Sequence, residues 1–515
     1  MYRANILGSF LLSCLALLTL GTSAEASKYK KTDGTWVDPI KTFVPLDEGD
    51  EDPHSYSGPN LEPSANLMEA ELNGADLHQA DLHTANLTGA YLNRANLTEA
   101  NLNGARLLGV SLESAYLNHA NLSHANLADA NLHSVYLRWA NLTSAKLTDA
   151  NLSHARLNSA SMSNANLNDA NLTEAKLTGA TLNNAHLWGA NLTGADLALT
   201  NIIDAYLFGA NLTHVDLSDG SLSNSNLTDA NLNSANLTGA NLTGATLDNV
   251  SSGGITGTPF HLPTDWQLTG GYLIGAKANL YQAELRGANL TGVNLTFADL
   301  TFAILDSANL IDANLTGANL TNATADVANM HGANMHGTIL KFAQLANADL
   351  SAATLNHADL TLTNFMHANL DGANLTSVNM LGTILTGATL TGSTLTGANL
   401  RYAKLHGALG LPGGSSSQLT LTDTEEMILG ADITGADFSG ADLTGADFNH
   451  ENDLLDVIGW ASATWTGAWF HYQGEPDWPT GMIHTDHGIT VHTPEPATIL
   501  LALLGLALLP RRRRR

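Results

Sequence analysis

The chain contains little cysteine, little charge and few aromatic residues. One cysteine, 13% charged residues and 6% aromatic residues occur in 515 positions. Because ordinary globular domains carry about 25% charged residues and larger aromatic cores, a row of such domains is not expected. A hydrophobic content of 44%, regularly spaced, also excludes a disordered chain. The net charge of −27 argues against general electrostatic binding to nucleic acid.

The N-terminus has the three parts of a secretory signal peptide. Arg3 supplies a positive charge, residues 6–20 form an apolar run, and Ala24 and Ala26 form a small-residue cleavage site. Because the run is shorter than the ~20 residues that a membrane span needs, cleavage is favoured over an N-terminal anchor. Cleavage would remove the single cysteine and leave no thiol for a disulfide, a nucleophile or a zinc ligand.

The C-terminus carries a second targeting pattern. Pro494, Glu495 and Pro496 precede an apolar run over residues 497–509. The last five residues are the basic stop Arg511, Arg512, Arg513, Arg514 and Arg515. Because moving five arginines across a bilayer is costly, this end is expected to stay cytoplasmic while the preceding chain is exported.

This order of motif, apolar segment and basic end resembles the PEP-CTERM sorting tail of Gram-negative bacteria that have an exosortase. The resemblance implies that an exosortase-like enzyme recognises Pro494, Glu495 and Pro496 while the tail is transiently in the membrane. It would then remove the tail and deliver the protein to the cell surface or extracellular matrix. The alternative is a simple C-terminal membrane anchor.

A period of five residues runs through most of the chain. Every fifth residue from Leu67 to Leu247 is Leu, Ile or Met, and most units are Ala-(Asn/Asp)-Leu-x-x. On a helix this period leaves no apolar stripe, and on a straight strand it places alternate leucines in solvent. The chain must therefore turn once per unit, which builds a solenoid.

These units resemble the pentapeptide-repeat family. The resemblance implies an all-β, right-handed quadrilateral β-helix with four units, hence 20 residues, in each coil. Asparagines at that interval would stack as a ladder: Asn131, Asn151, Asn171, Asn191, Asn211 and Asn231.

Interruptions of the period divide the chain into nine predicted segments. They are the signal peptide 1–26, a mobile acidic N-terminal segment 27–64, solenoid block 1 at 65–250, an interrupting loop 251–277, solenoid block 2 at 278–407, a Gly/Ser-rich loop 408–430, a short block 3 at 431–450, a Trp-rich cap and linker 451–492, and the sorting tail 493–515. The tryptophans of 451–492 are interpreted as an aromatic cap, with carbohydrate stacking as the alternative.

The search for chemistry predicts no enzyme, catalytic residue, cofactor or metal. No two histidines lie 20 residues apart, and the nearest cluster, His484, His487 and His492, is interpreted as part of a linker. Carboxylates five residues apart, such as Asp76 and Asp81, should lie on adjacent faces and point away from each other. That geometry does not suit an acid–base pair.

Three classes of function remain. The first is an exported, non-enzymatic structural or adhesive protein that binds extracellular polysaccharide, another surface protein or its own copies. The second is an acidic DNA mimic that binds topoisomerase, as some pentapeptide-repeat proteins do in the cytoplasm. The third is an ice or flat-surface binder that uses threonine columns, namely Thr173, Thr193 and Thr213, with Thr296 and Thr316.

Overall fold

The computed structural model describes residues 28–37 and 60–405, with the backbone of three short strands at 41–42, 469–471 and 490–492. This part of the chain is all-β and contains no helix. The predicted signal peptide, Gly/Ser-rich loop, third block, histidine cluster and sorting tail lie outside the described residues, except for the backbone of the last strand. The chain forms two compact units: unit 1 is residues 1–246 with 255–263, and unit 2 is 247–254 with 264–515.

In unit 1 each five-residue repeat forms one side of a coil. The Leu152 N–H donates to the Asn171 carbonyl at 2.7 Å, and the Asn171 N–H donates to the Ala150 carbonyl at 2.9 Å. Bridged residues are parallel and lie 20 apart, as Asn131 and Asn151 do. Four repeats therefore complete one coil, and the expectation of an all-β quadrilateral β-helix is confirmed.

A tight turn joins one side of the coil to the next. The Ala155 N–H donates to the Leu152 carbonyl at 3.0 Å, and His154, third in this turn, has φ near 57°. Type II turns need a positive φ at that position. The two variable residues of each repeat therefore form a corner that projects away from the core.

The core consists of the central leucines and the alanines two positions before them. These side chains are buried throughout both units. Phe365 and Ala325 replace central leucines in unit 2, and both are buried. Hydroxyl residues replace some of the alanines and bond to main-chain carbonyls, as Thr338 does with Leu315 at 2.9 Å.

The N-terminal residues cover the first coil of unit 1. Strand β1, Tyr29–Lys30, pairs antiparallel with β2, Trp36–Val37. The Lys30 N–H donates to the Leu61 carbonyl at 3.0 Å, and the Asp81 N–H donates to the Lys30 carbonyl at 2.7 Å. Residues 28–37 were expected to belong to a mobile segment, but they form a hairpin. The exposed backbone of a solenoid end gives them hydrogen-bonding partners.

A buried tyrosine anchors this hairpin. Tyr29 is 3% exposed, and its hydroxyl donates to the His78 carbonyl at 3.3 Å. Burial, followed by the charge of Asp76, raises the pKa of the Tyr29 hydroxyl. Strand β3, Lys41–Thr42, pairs antiparallel with β4, Ala75–Asp76.

Unit 2 begins with a hairpin inside the segment that was expected to be a loop. Strand β5, Gln267–Thr269, pairs antiparallel with β6, Tyr272–Ile274. Ser251 bridges Asn279, 28 residues later, so the hairpin occupies the eight residues beyond a normal coil. The regular coils then continue to residue 405.

Two further strands lie in the Trp-rich C-terminal region. Strand β7, Trp469–His471, pairs parallel with β8, Thr490–His492.

Candidate binding surface

One face of unit 1 carries a column of aromatic and basic side chains. Tyr116, Tyr136, Arg156 and Lys176 occupy the same position of the repeat in successive coils, and each bridges the next. The two tyrosine rings stack at 4.6 Å with an angle of 10° between their planes. The Arg156 guanidinium carbon lies 4.8 Å from the centre of the Tyr136 ring. Tyr136 is therefore held between a second tyrosine and a cation.

This column lies in an open groove of about 650 Å³ that extends from one corner of the coil to the next. The groove is lined by Arg138, His154, Arg156, Asn158, Glu174, Lys176 and Gly194. Three side chains are permanent cations and one is a carboxylate. The Glu174 carboxylate lies 3.3 Å from His154 Nδ1 at the groove edge, so the floor of the groove is cationic.

The position of these cations is unusual for so acidic a chain. The net charge is −27, and the lysines and arginines between residues 60 and 246 are Arg94, Arg106, Arg138, Lys146, Arg156 and Lys176. Three of these six line one groove. This concentration of positive charge gives the groove a preference for anions over its surroundings.

An asparagine in the groove has an unused hydrogen-bonding atom. Asn158 Oδ1 is buried and accepts no hydrogen bond. Asn118, at the equivalent place two coils earlier, accepts a bond from the Arg138 N–H at 3.0 Å. Because buried polar atoms are normally paired, the Asn158 oxygen is a candidate ligand contact.

Exposed aromatic rings lie beside the groove and on the opposite face. Trp139, next to Arg138 in the chain, is 55% exposed and stacks on His119 at 4.9 Å. On the opposite face two further aromatic pairs contact each other, His186 with Tyr206 and Trp188 with Phe208.

The threonine columns are present, but their hydroxyl protons are already used. The Glu174 N–H donates to the Thr193 carbonyl and the Gly194 N–H donates to the Thr213 carbonyl, so the column occupies successive coils. Each threonine hydroxyl donates to the side-chain oxygen of the asparagine two positions earlier, at 2.6 Å in the pair Thr193–Asn191. Thr296 and Thr316 make the same bond to Asn294 and Asn314.

Histidines and carboxylates do not combine into a metal or acid–base site in the described ranges. No group of three or more His, Cys, Asp or Glu side chains there is arranged to hold a metal ion. Asp76 and Asp81 accept bonds from Asn96 and Asn101 respectively, and so belong to separate ladders.

The search at intervals of 20 missed contacts at 21. His133 and His154 lie 5.3 Å apart, and His336 and His357 lie 5.6 Å apart. In each pair the first and second corner residues of successive coils meet. The interval of 20 would have identified the Tyr116–Lys176 column.

The coil and its repeat define a pentapeptide solenoid. The family model described as pentapeptide repeats (8 copies) matches residues 65–104, 105–149, 136–174, 145–184, 175–213, 210–249, 276–305, 303–341, 343–380, 382–409 and 429–450. This match covers more than half of the chain, which therefore belongs to the pentapeptide-repeat family. No curated protein matches the chain.

Several solved structures are similar. HetL, a pentapeptide repeat protein involved in heterocyst differentiation regulation from the cyanobacterium Nostoc sp. strain PCC 7120, is 26% identical, with 58% of this chain and 89% of that chain covered and a TM-score of 0.12. QnrB1, a plasmid-mediated fluoroquinolone resistance protein, is 14% identical, with 65% and 99% covered and a TM-score of 0.15. A pentapeptide repeat protein of the Arabidopsis thaliana thylakoid lumen is 30% identical, with 23% and 69% covered and a TM-score of 0.12. At these TM-scores, family membership rests on the repeat match.

Among the residues that the structure describes, no helix has the length and apolar character needed to span a membrane.

Proposed function

We propose that this chain is a non-enzymatic, exported protein that acts as a structural or adhesive component of the cell surface or extracellular matrix. Its solenoid would present fixed surfaces to polysaccharide, to other surface proteins or to its own copies. The carrying observation is the Tyr116–Lys176 column, which provides ordered binding groups on a rigid ladder. The proposal includes removal of the signal peptide and of the tail by an exosortase-like enzyme.

The rigidity of the ladder supports a binding role. Arg156 and Lys176 are fixed at their backbones by main-chain bonds to both neighbouring coils, for example from the Arg156 N–H to the Val135 carbonyl at 2.8 Å. Side chains held on a rigid scaffold lose less conformational entropy when a ligand binds than side chains on a free loop.

The address is tested by measuring the intact mass of the native protein in each cell fraction. We expect a surface or matrix species that lacks residues 1–26 and has lost the tail near Pro494. A full-length species in the cytoplasm would contradict the proposed export. A species that lacks only residues 1–26 and stays in the membrane would support the anchor and oppose tail cleavage.

DNA mimicry is the second candidate, and the net charge of −27 favours it. A mimic of DNA presents a continuous array of anions to a topoisomerase. The cationic groove of unit 1 opposes this function on that face. A supercoiling assay with purified DNA gyrase separates the two candidates, because a mimic inhibits the enzyme in proportion to its concentration and a matrix protein leaves it active.

A further inference from the structure

We infer that the groove lined by Arg138, Arg156 and Lys176 binds an anionic polysaccharide, a linear chain whose sugars carry carboxylate or sulfate groups. This inference rests on the proposed binding function and names the chemical class of its ligand. The observations are the positions of the three cations, an unused polar atom and one open aromatic ring.

The first argument is electrostatic. The groove holds three permanent cations, and its one carboxylate, Glu174, is paired with His154 at 3.3 Å. Like charges placed together repel each other, so such a group gains stability when an anion binds between its members. Guanidinium groups also bind carboxylate and sulfate oxygens through two parallel hydrogen bonds.

The second argument is the spacing of the cations. Arg138, Arg156 and Lys176 belong to three successive coils, as the bridges Tyr136–Arg156 and Arg156–Lys176 show. Neighbouring coils lie about 4.8 Å apart, as paired strands do, and this distance is close to the length of one sugar ring along a polysaccharide. A polymer that repeats its anionic group matches this row better than one small anion does.

The third argument concerns the neutral parts of a sugar. The buried Asn158 Oδ1 has no hydrogen-bond donor, and a sugar hydroxyl would supply one. Trp139 has one ring face against His119 and is 55% exposed, so its other face offers an apolar surface for a sugar ring.

Single-stranded nucleic acid, the other common polyanion, fits this face less well. Its binding depends on bases that stack on open aromatic rings. Tyr136 is covered on one side by Tyr116 and on the other by Arg156, so it has no open face. The groove therefore lacks a row of stacking surfaces along the cations.

The chain offers a matched control for a binding experiment. Arg106 and Lys146 occupy the same repeat position as Arg156 and Lys176, two sides away on the coil, and they belong to one column through Asn126. The double variant R156Q/K176Q alters the groove. The double variant R106Q/K146Q makes the same change in charge on the opposite face. All four side chains are exposed, so both variants are expected to fold.

Binding is measured by isothermal titration calorimetry with the full chain. The probes are polygalacturonate, dextran sulfate, neutral dextran and a poly(dT) oligonucleotide. We expect binding to polygalacturonate or dextran sulfate that weakens with added salt, and no binding to dextran. R156Q/K176Q should bind at least about tenfold more weakly, since each charge-assisted contact is worth about tenfold. R106Q/K146Q should bind within about twofold of the parent chain.

Several results would overturn the inference. They are equal binding by the parent chain and R156Q/K176Q, equal losses in both variants, absence of binding to either anionic polymer, or tighter binding to poly(dT). Preference between polygalacturonate and dextran sulfate would identify the anionic group. Cell fractionation tests the proposed function separately, because an exported protein with an inactive groove would refute only this inference.

Discussion

The side-chain oxygen of Asn171 accepts two hydrogen bonds from Thr173, one from the backbone N–H at 3.1 Å and one from the hydroxyl at 2.6 Å. The Asn171 amide nitrogen donates to Asn151 Oδ1 in the preceding coil at 3.3 Å. Asn191 and Thr193 form the same turn. The frequent Asn-Leu-Thr triplet is therefore a local structural unit that closes a corner and joins it to the neighbouring coil.

Replacing Asn171 by alanine should lower the free energy of unfolding by about 1–2 kcal/mol, because three hydrogen bonds are lost from a partly buried turn. Asn171→Asp is the matched control, since it keeps the acceptor for Thr173 and loses only the donor to Asn151. Urea unfolding followed by circular dichroism measures both. An Asn171→Ala protein as stable as the parent would show that the turn needs no side-chain acceptor.

Val327 and Asn347 occupy the same corner position in successive coils, with φ of 61° and 58°. Val327 is β-branched and 59% exposed, so its side chain gains little from burial and does not suit a left-handed backbone. Val327→Asn should stabilise the protein by about 1 kcal/mol, because asparagine tolerates this conformation.

The reverse substitution in the next coil tests the same cause. Asn347→Val should destabilise the protein by a similar amount, measured as the shift in the urea midpoint. Changes of the same sign in both variants would show that contacts, rather than backbone conformation, control stability at this corner.

Thr363 has a buried hydroxyl that donates to the Leu340 carbonyl at 2.6 Å. That carbonyl also accepts the Ala343 N–H at 3.0 Å, so it keeps one partner when the hydroxyl is removed. Thr363→Val should therefore cost only about 1 kcal/mol. Thr363→Ser keeps the donor, and a smaller loss of stability in this variant than in Thr363→Val would identify the hydrogen bond as the cause.

Asp359 provides a test with pH. Burial raises its pKa, but hydrogen bonds from Thr361 and Lys341 outweigh that effect and lower the pKa overall. A carboxylate with a lowered folded-state pKa stabilises the fold above its unfolded pKa of about 3.9 and stops doing so as the pH falls through the folded value.

Asp359→Asn should therefore be less stable than the parent at pH 7, by less than about 1 kcal/mol, since the pair with Lys341 is partly exposed. The difference should disappear below about pH 3, where both proteins are neutral at this position. Thermal unfolding from pH 2 to pH 7 measures it. A difference that stays constant with pH would point to geometry instead of charge.

The sequence predicted the coil because its cause is local and repeated. Leu152 and its counterparts can share one axis only if the chain turns every five residues, which the period alone establishes. The stacking of Asn131 on Asn151 follows from the same arithmetic. The number of sides came from the family resemblance, because the period does not determine how many turns close a coil.

The N-terminal hairpin and the groove were harder to predict. Tyr29 lies in a segment whose neighbouring acidic residues suggest solvation, and its burial depends on Leu61 and Asp81, far along the chain. The groove requires Arg138, at a corner, to meet Arg156, on a side, in the next coil. Their separation of 18 residues is not a multiple of the period, so counting repeats does not reveal it.

The 20-residue coil also constrains how such a surface can change over time. Duplication or loss of 20 residues would lengthen or shorten the ladder by one step and leave every later side chain in its column. A gain of five would rotate all later residues by one side and separate Arg156 from Lys176 if it fell between them. The 28-residue step from Ser251 to Asn279 shows a third route, in which the extra residues leave the ladder as a hairpin.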